Sequence, residues 1–242
     1  GHLLVYDPGP RYSADADAGQ RVVVPYLRWL GAGRIDRLIV THQDSDHAGG
    51  LASLQAAVPV ASLLSSWPEA GGERCAAGQR WNWDGVEFAI LHPQSDDYTE
   101  SASTNHLSCV LTITAGGNAN SENATSKRIL LTADLEAADE SRLLKSDPAA
   151  LAADALVVGH HGSKTSSTPD FVAAVGARQA LISAGYRNRF GHPREEVVAR
   201  YVERGAKIWR TDRDGALRVN LRPEEVNVTA WRSERQRYWY GW

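Results

Sequence analysis

The sequence predicts an α/β fold, and three observations carry that reading. Short β-branched runs alternate with amphipathic stretches, the pattern of strands separated by helices. Asp and His gather directly behind several of those runs, where loops leaving strand ends face a ligand crevice. The 242 residues, 43% hydrophobic and 23% charged, are enough to bury a substantial core, which excludes a disordered or fibrous chain.

Leu3-Leu4-Val5-Tyr6 reads as a strand ended by Asp7-Pro8-Gly9-Pro10, where proline and glycine force a loop. Residues 20–30 carry Val23, Leu27 and Leu30 at helical spacing and stop at Gly31 and Gly33. Leu38-Ile39-Val40 is a buried strand that opens straight into Thr41-His42, and 48–56 is a short helix beyond it. Strands are expected over 86–91, 108–114 and 128–132, with the polar segment 116–123 as a long hairpin loop between the last two. A helix over 136–145 leads to a buried strand over 155–158, which runs into Gly159-His160-His161. The stretch 168–175, a strand over 180–183, a helix over 193–204 and strands over 207–211 and 216–221 complete the pattern. No linker of disordered composition and no internal repeat interrupts residues 1–242, which are read as a single domain.

Lys and Arg number 26 against 29 Asp and Glu, so bulk charge gives no reason to expect a polyanion, and a nucleic acid would need local basic patches. Two cysteines make neither a disulfide framework nor a Cys-based zinc knuckle. Cys75 and Cys109 are expected as free thiols rather than as one bridge. No apolar run approaches the roughly 18 residues of a membrane span. The chain contains no Met and is expected to be a processed or excised piece of a longer protein.

His42-Gln43-Asp44-Ser45-Asp46-His47 packs four ligand residues into six positions. Carboxylate oxygens and imidazole nitrogens suit zinc or manganese, and a loop lets closely spaced side chains converge on an ion. The competing reading, Asp44 or Asp46 as a helix cap, suits a lone Asp better than this cluster. Asp134, after a strand and before a helix, reads by itself as a cap. Gly159-His160-His161-Gly162-Ser163 exposes paired imidazoles between glycines, where backbone can approach a ligand. Asn188-Arg189-Phe190-Gly191-His192-Pro193 is a weaker signal, because proline also starts helices. His2 and His92 are read as surface or core residues without a role.

These motifs together resemble the metallo-β-lactamase fold superfamily, whose signature is His-x-His-x-Asp-His, and in particular the C-terminal metallo-β-lactamase-like domain of the ComEC family of DNA-internalisation channels. Asp7 to Arg11, Val24 to Arg28, Thr41 to Gly50, Asn105 to Leu111, Leu131 to Asp134, His160 to Ser167 and Gly185 to Pro193 carry the likeness. It implies a four-layer αββα sandwich, with a first strand truncated ahead of Leu3. It also implies metal ligands His42, Asp44, Asp46, His47, Asp134 and His161. Asp44 stands where the signature has its second histidine, and only Asn105 or His106 stands for the histidine ahead of strand 108–114. The other site, Asp46, His47, Asp134 and His161, has its full set, with Asp134 able to bridge to a second ion. Oxygen donors replacing imidazole shift the expectation from zinc towards manganese, one or two ions in all.

The resemblance implies a metal-dependent hydrolase, a nuclease that degrades the DNA strand not imported during natural transformation. Asp46, His160 and His192 are its catalytic candidates, with His160 or His192 as acid to the leaving oxygen. Lys164, Arg187 and Arg189 would hold phosphates, with Asn105, Ser163, Ser166 and Ser167 as neutral contacts. The partner would be DNA, single-stranded by expectation, with no organic cofactor. The full-length protein would sit in the inner or plasma membrane with this domain on the extracytoplasmic, periplasmic side. Two alternatives stand beside it: a catalytically weak DNA-binding module using the Arg- and aromatic-rich tail 231–242, and a hydrolase of a small phosphodiester.

Overall fold

A computed structural model describes residues 1–116, 126–222 and 224–235. The chain forms two compact units, each interrupted in sequence: Gly1–Asp84 with Ala89–Val110, and Gly85–Phe88 with Leu111–Trp242.

In the first unit, four parallel strands run in the order Leu4–Tyr6, Arg37–Val40, Leu63–Ser65 and Glu73–Arg74. Leu38, Ile39 and Val40 are fully buried, as a continuous apolar run in a parallel sheet should be. Val24, Leu27, Ile35, Leu51 and Leu54 join Leu38 and Val40 in the core, each large side chain contributing about 1.5–3 kcal/mol by its burial. The helix expected over 20–30 is a π-helical turn, Gly19–Val23, running into the α-helix Val24–Trp29 with Pro25 in its first turn.

The helix expected over 48–56 starts earlier and is broken into Ser45–Ala48 and Leu51–Ala57. A Cβ on Gly50 would lie 2.5 Å from the Gly19 nitrogen and 2.6 Å from the Pro8 oxygen. Backbone approaches there as only glycine permits, and the break leaves Asp46 and His47 on a separate helical turn.

Cys75 and Cys109, expected as free thiols, are joined in a disulfide. Both are fully buried, and their Cα atoms lie 6.2 Å apart, a span a bridge accommodates. The two cysteines are 34 positions apart in sequence and meet because neighbouring strands hold them: Cys75 donates its N–H to the Ser65 carbonyl and Cys109 to that of Thr41. The hairpin Arg11–Ser13 with Ala16–Asp17, and strand Arg80–Trp83, were also not expected; they are two to four residues long, too short for periodicity to show.

In the second unit the strands run Lys207–Arg210, Gln179–Ile182, Ala155–Val157, Ser126–Leu131 and then residues 111–116 of Val110–Gly116. The first four are parallel and the last pair antiparallel. Ile129, Ala155 and Leu181 bury one face against Leu217, Val219 and Val228. These come from the hairpin Leu217–Leu221 with Val226–Ala230, whose second strand was not expected. Helices Ala137–Ser146 and Glu195–Glu203 fall within about two residues of the sequence expectation, and the stretch 168–175, given no type from sequence, is the helix Pro169–Val175. Trp231–Glu234 is a helical turn, with the Arg235 guanidinium 4.1 Å over the Trp231 ring. Most of the expected loop 116–123, and the tail beyond Arg235, lie outside the described residues. Among the described residues, no helix is long and apolar enough to cross a membrane.

Candidate metal and catalytic residues

Strand Arg37–Val40 delivers Thr41 and His42, both buried, and the turn Ser45–Ala48 carries Asp46, exposed, and His47, buried. The loop behind the first strand supplies Asp7, in the left-handed region at φ 59°. Its Oδ1 accepts the Thr41 N–H at 2.8 Å and its Oδ2 the Thr41 hydroxyl at 2.8 Å. The same Oδ2 lies 2.8 Å from His47 Nδ1, which therefore carries a proton. Having spent its own hydrogen on Asp7, the Thr41 hydroxyl accepts from His42 Nδ1 at 2.9 Å. The network thus assigns both imidazoles the tautomer with an unprotonated Nε2, the form that ligates metal. His42 Nε2 is 3.7 Å from Asp44 Oδ2.

The second unit repeats this logic. Asp134, 3% exposed, follows strand Ser126–Leu131 through Ala133, whose φ is 46°. His160 and His161 are both left-handed, at φ 49° and 54°, an arrangement that costs on the order of 1–3 kcal/mol per residue and persists only where surroundings enforce it. The His160 N–H bonded to the Ala133 carbonyl at 2.9 Å is part of that enforcement. His161 Nδ1 donates to the Ser183 carbonyl at 2.9 Å, which leaves Nε2 unprotonated and 3.5 Å from Asp134 Oδ1. His160 Nδ1 sits 3.2 Å from Glu136 Oε1 and 3.1 Å from Thr165 Oγ1, with its Nε2 3.7 Å from Asp134 Oδ2. Carboxylate and carbonyl partners on Nδ1 orient an imidazole and raise its basicity towards a metal. The donors present therefore fit a divalent ion.

His192 lies in the same unit, its ring 6.0 Å from that of His160. Asn188 clamps it, donating to its carbonyl at 2.7 Å and accepting from its N–H at 3.0 Å. Burial first, then the nearness of His160, Arg194 and His161, holds the His192 pKa below its ordinary value, against the pull of Asp134. Its neutral form is favoured.

Lys164, Arg187 and Arg189 are exposed. Ser163 is buried, its hydroxyl 3.2 Å from that of Thr165. Ser166 and Ser167 are each 1% exposed and bonded inside the unit, Ser166 to the Gly159 carbonyl at 2.8 Å and Ser167 from the Tyr201 hydroxyl at 2.9 Å. In the first unit, Asn105 Oδ1 is buried with no hydrogen-bond partner among the described residues. His92, read as roleless, is buried and bonds through Nε2 to the His106 carbonyl at 2.6 Å.

Asp7, Glu136 and Thr165 position the imidazoles and were not singled out in the sequence as site residues, although Asp-Pro-Gly-Pro and Lys164-Thr165 both fall in recognisable motifs. A cleft of about 470 Å³ in the first unit, lined by His42, Gln43, Trp67, Arg74 and Tyr98, was also not foreseen. Its walls come from loops and the two-residue strand Glu73–Arg74, none with a periodic signal, and the Arg74 guanidinium lies 4.5 Å over the Tyr98 ring.

Residues 1–186 match the metallo-beta-lactamase superfamily. Over 91% of its length the chain is 39% identical to the competence protein ComA of Neisseria gonorrhoeae, covering 29% of that protein. Over 99% it is 30% identical to the uncharacterized protein YcaI of Escherichia coli, covering 30%. Recombination protein 2 of Haemophilus influenzae is 31% identical over 94% of the chain, covering 27% of that relative. The chain thus spans under a third of the length of these relatives.

Proposed function

The chain belongs to the metallo-beta-lactamase superfamily, and from that membership we propose that it is a metal-dependent phosphodiesterase acting on DNA during uptake, as part of a longer membrane protein. The observation that carries this reading is the fixing of His42, His47 and His161 through Nδ1, which prepares three Nε2 atoms as ligands. Similarity to a competence protein supports DNA as the substrate.

In this reading His42, Asp44, Asp46, His47, Asp134 and His161 are metal ligands. A bound divalent ion supplies Lewis acidity, lowering the pKa of water towards roughly 7 and polarising a phosphoryl oxygen. His160, steadied by Glu136 and Thr165, passes a proton at Nε2 to the leaving oxygen. His192, favoured neutral, accepts a hydrogen bond rather than giving up a proton. Lys164, Arg187 and Arg189, all exposed, hold flanking phosphates. The disulfide supports an oxidising, extracytoplasmic setting.

The test is hydrolysis of single- and double-stranded DNA and of a small bis-ester by metal-stripped protein, given manganese or zinc, beside Asp46→Ala and Asp134→Ala. Metal-dependent cleavage lost in both variants bears the proposal out, and cleavage undiminished in Asp134→Ala sinks it. A second reading, a binding module with weak catalysis, draws on Asp44 in place of the signature histidine. DNA retention without cleavage under any metal would select it.

A further inference from the structure

Among the described residues, the loop behind strand Gln179–Ile182 leaves Tyr186 68% and Phe190 56% exposed. Neither ring is loose chain. Asn188 donates to the Gly185 carbonyl at 3.1 Å as well as clamping His192 at both backbone atoms. Phe190 stacks on His192, with ring planes 13° apart and centroids 5.9 Å apart. A loop held by internal hydrogen bonds thus presents two aromatic faces to solvent at little further cost in entropy.

Each ring has its own arginine. The Arg187 guanidinium lies 5.2 Å over the Tyr186 centroid and that of Arg189 4.9 Å over Phe190, within cation–π reach, so each ring carries a cation beside its exposed surface. Gly185-Tyr186-Arg187-Asn188-Arg189-Phe190-Gly191-His192-Pro193-Arg194 contains three arginines and no Asp or Glu, in a chain whose net charge is −3. Flat exposed rings interleaved with phosphate-binding forks are the chemistry that holds a single nucleic-acid strand: bases stack, phosphates pair with arginine. A duplex hides its base faces and offers those rings nothing.

We propose that Tyr186 and Phe190 form a stacking platform for the unpaired bases of single-stranded DNA. This deepens the reading of the site as one for DNA and rests on it. The step from Phe190 to His192 and on to His160 places the platform beside the candidate acid.

The test is binding, in metal-free buffer so that hydrolysis does not intrude. Fluorescence anisotropy would compare a labelled oligothymidylate of about 15 nucleotides, an abasic strand with the same number of phosphates, and a duplex. Tyr186→Ala and Phe190→Ala are each expected to weaken the oligothymidylate about tenfold while leaving the abasic strand and duplex unchanged. Tyr186→Phe and Phe190→Tyr should retain parental affinity, and melting temperatures should stay constant throughout. Equal losses on thymidylate and abasic strands, no loss at all, or a parent that does not prefer bases over abasic sites would overturn the proposal. Hydrolysis of a small bis-ester by the metal-loaded parent, a substrate with no base to stack, separates this outcome from failure of the phosphodiesterase reading.

Discussion

Asp7 Oδ2 lies 2.8 Å from His47 Nδ1, so a carboxylate behind the first strand sets the tautomer of an imidazole 40 residues further on. Through Thr41 the same oxygen also orders His42. Asp7→Asn is the informative change, because Asn tolerates the left-handed backbone that Asp7 adopts and keeps an acceptor for the Thr41 N–H. It should lower metal affinity by about 10–100-fold with little loss of fold. Metal titration by calorimetry checks this, and unchanged affinity would remove Asp7 from its positioning role.

Asp44 faces His42 Nε2 at 3.7 Å, giving that pair one oxygen and one nitrogen donor. Asp44→His restores a second imidazole and should shift preference from manganese towards zinc by about tenfold or more, because softer nitrogen donors favour zinc. Competition between the two ions, read as metal content after dialysis, reports the ratio. A ratio equal to that of the parent would show that Asp44 is not a ligand.

Both groups of candidate ligands stand out in the sequence because short motifs behind apolar runs carry them: His42 to His47 after Leu38-Ile39-Val40, and His160-His161 after the run ending at Val158. The Cys75–Cys109 bridge was not, since nothing local in the sequence records that strands Leu63–Ser65 and Arg37–Val40 are neighbours. Gly49-Gly50 read as ordinary helix punctuation, yet the break exists because Gly19 and Pro8 backbone atoms press against Gly50. Thr165 and Glu136 escaped notice for the same reason, their bond at 2.9 Å being long-range. Ser166 and Ser167 looked available for substrate because spacing says nothing of Tyr201, which lies 34 residues on from Ser167 and is bonded to it.

Gly162 follows the paired histidines at φ 79°, and a Cβ there would stand 2.6 Å from that of Pro193. Gly162→Ala therefore combines backbone strain with overpacking, roughly 3 kcal/mol together and about 10 °C in melting temperature. Gly176→Ala is the control, with φ 60° but nothing nearer than 3.8 Å, and should cost about 1 kcal/mol. Thermal unfolding measures both. Equal costs would show that the Pro193 contact yields easily.

Asp154 joins two strands of the second unit, accepting from Lys127 Nζ at 2.8 Å and from the Arg128 N–H at 3.0 Å. Burial pushes its pKa up, but the Lys127 bond, the Arg128 N–H and the charges of Lys127 and Arg178 together outweigh burial and hold it below the ordinary 3.8. A carboxyl whose folded pKa lies below its unfolded one stabilises the fold above the unfolded value, and the gain disappears as pH falls through the folded value. Asp154→Asn should thus cost about 1 kcal/mol at pH near 7, where the parent carboxylate is charged. The gap between parent and variant should narrow only below about pH 3.8, as the parent protonates and loses the same ion pair. Urea unfolding of both proteins at a series of pH values tests the sign. A gap that narrows already between neutral pH and 5 would mean that the folded pKa is raised, and that burial wins over Lys127.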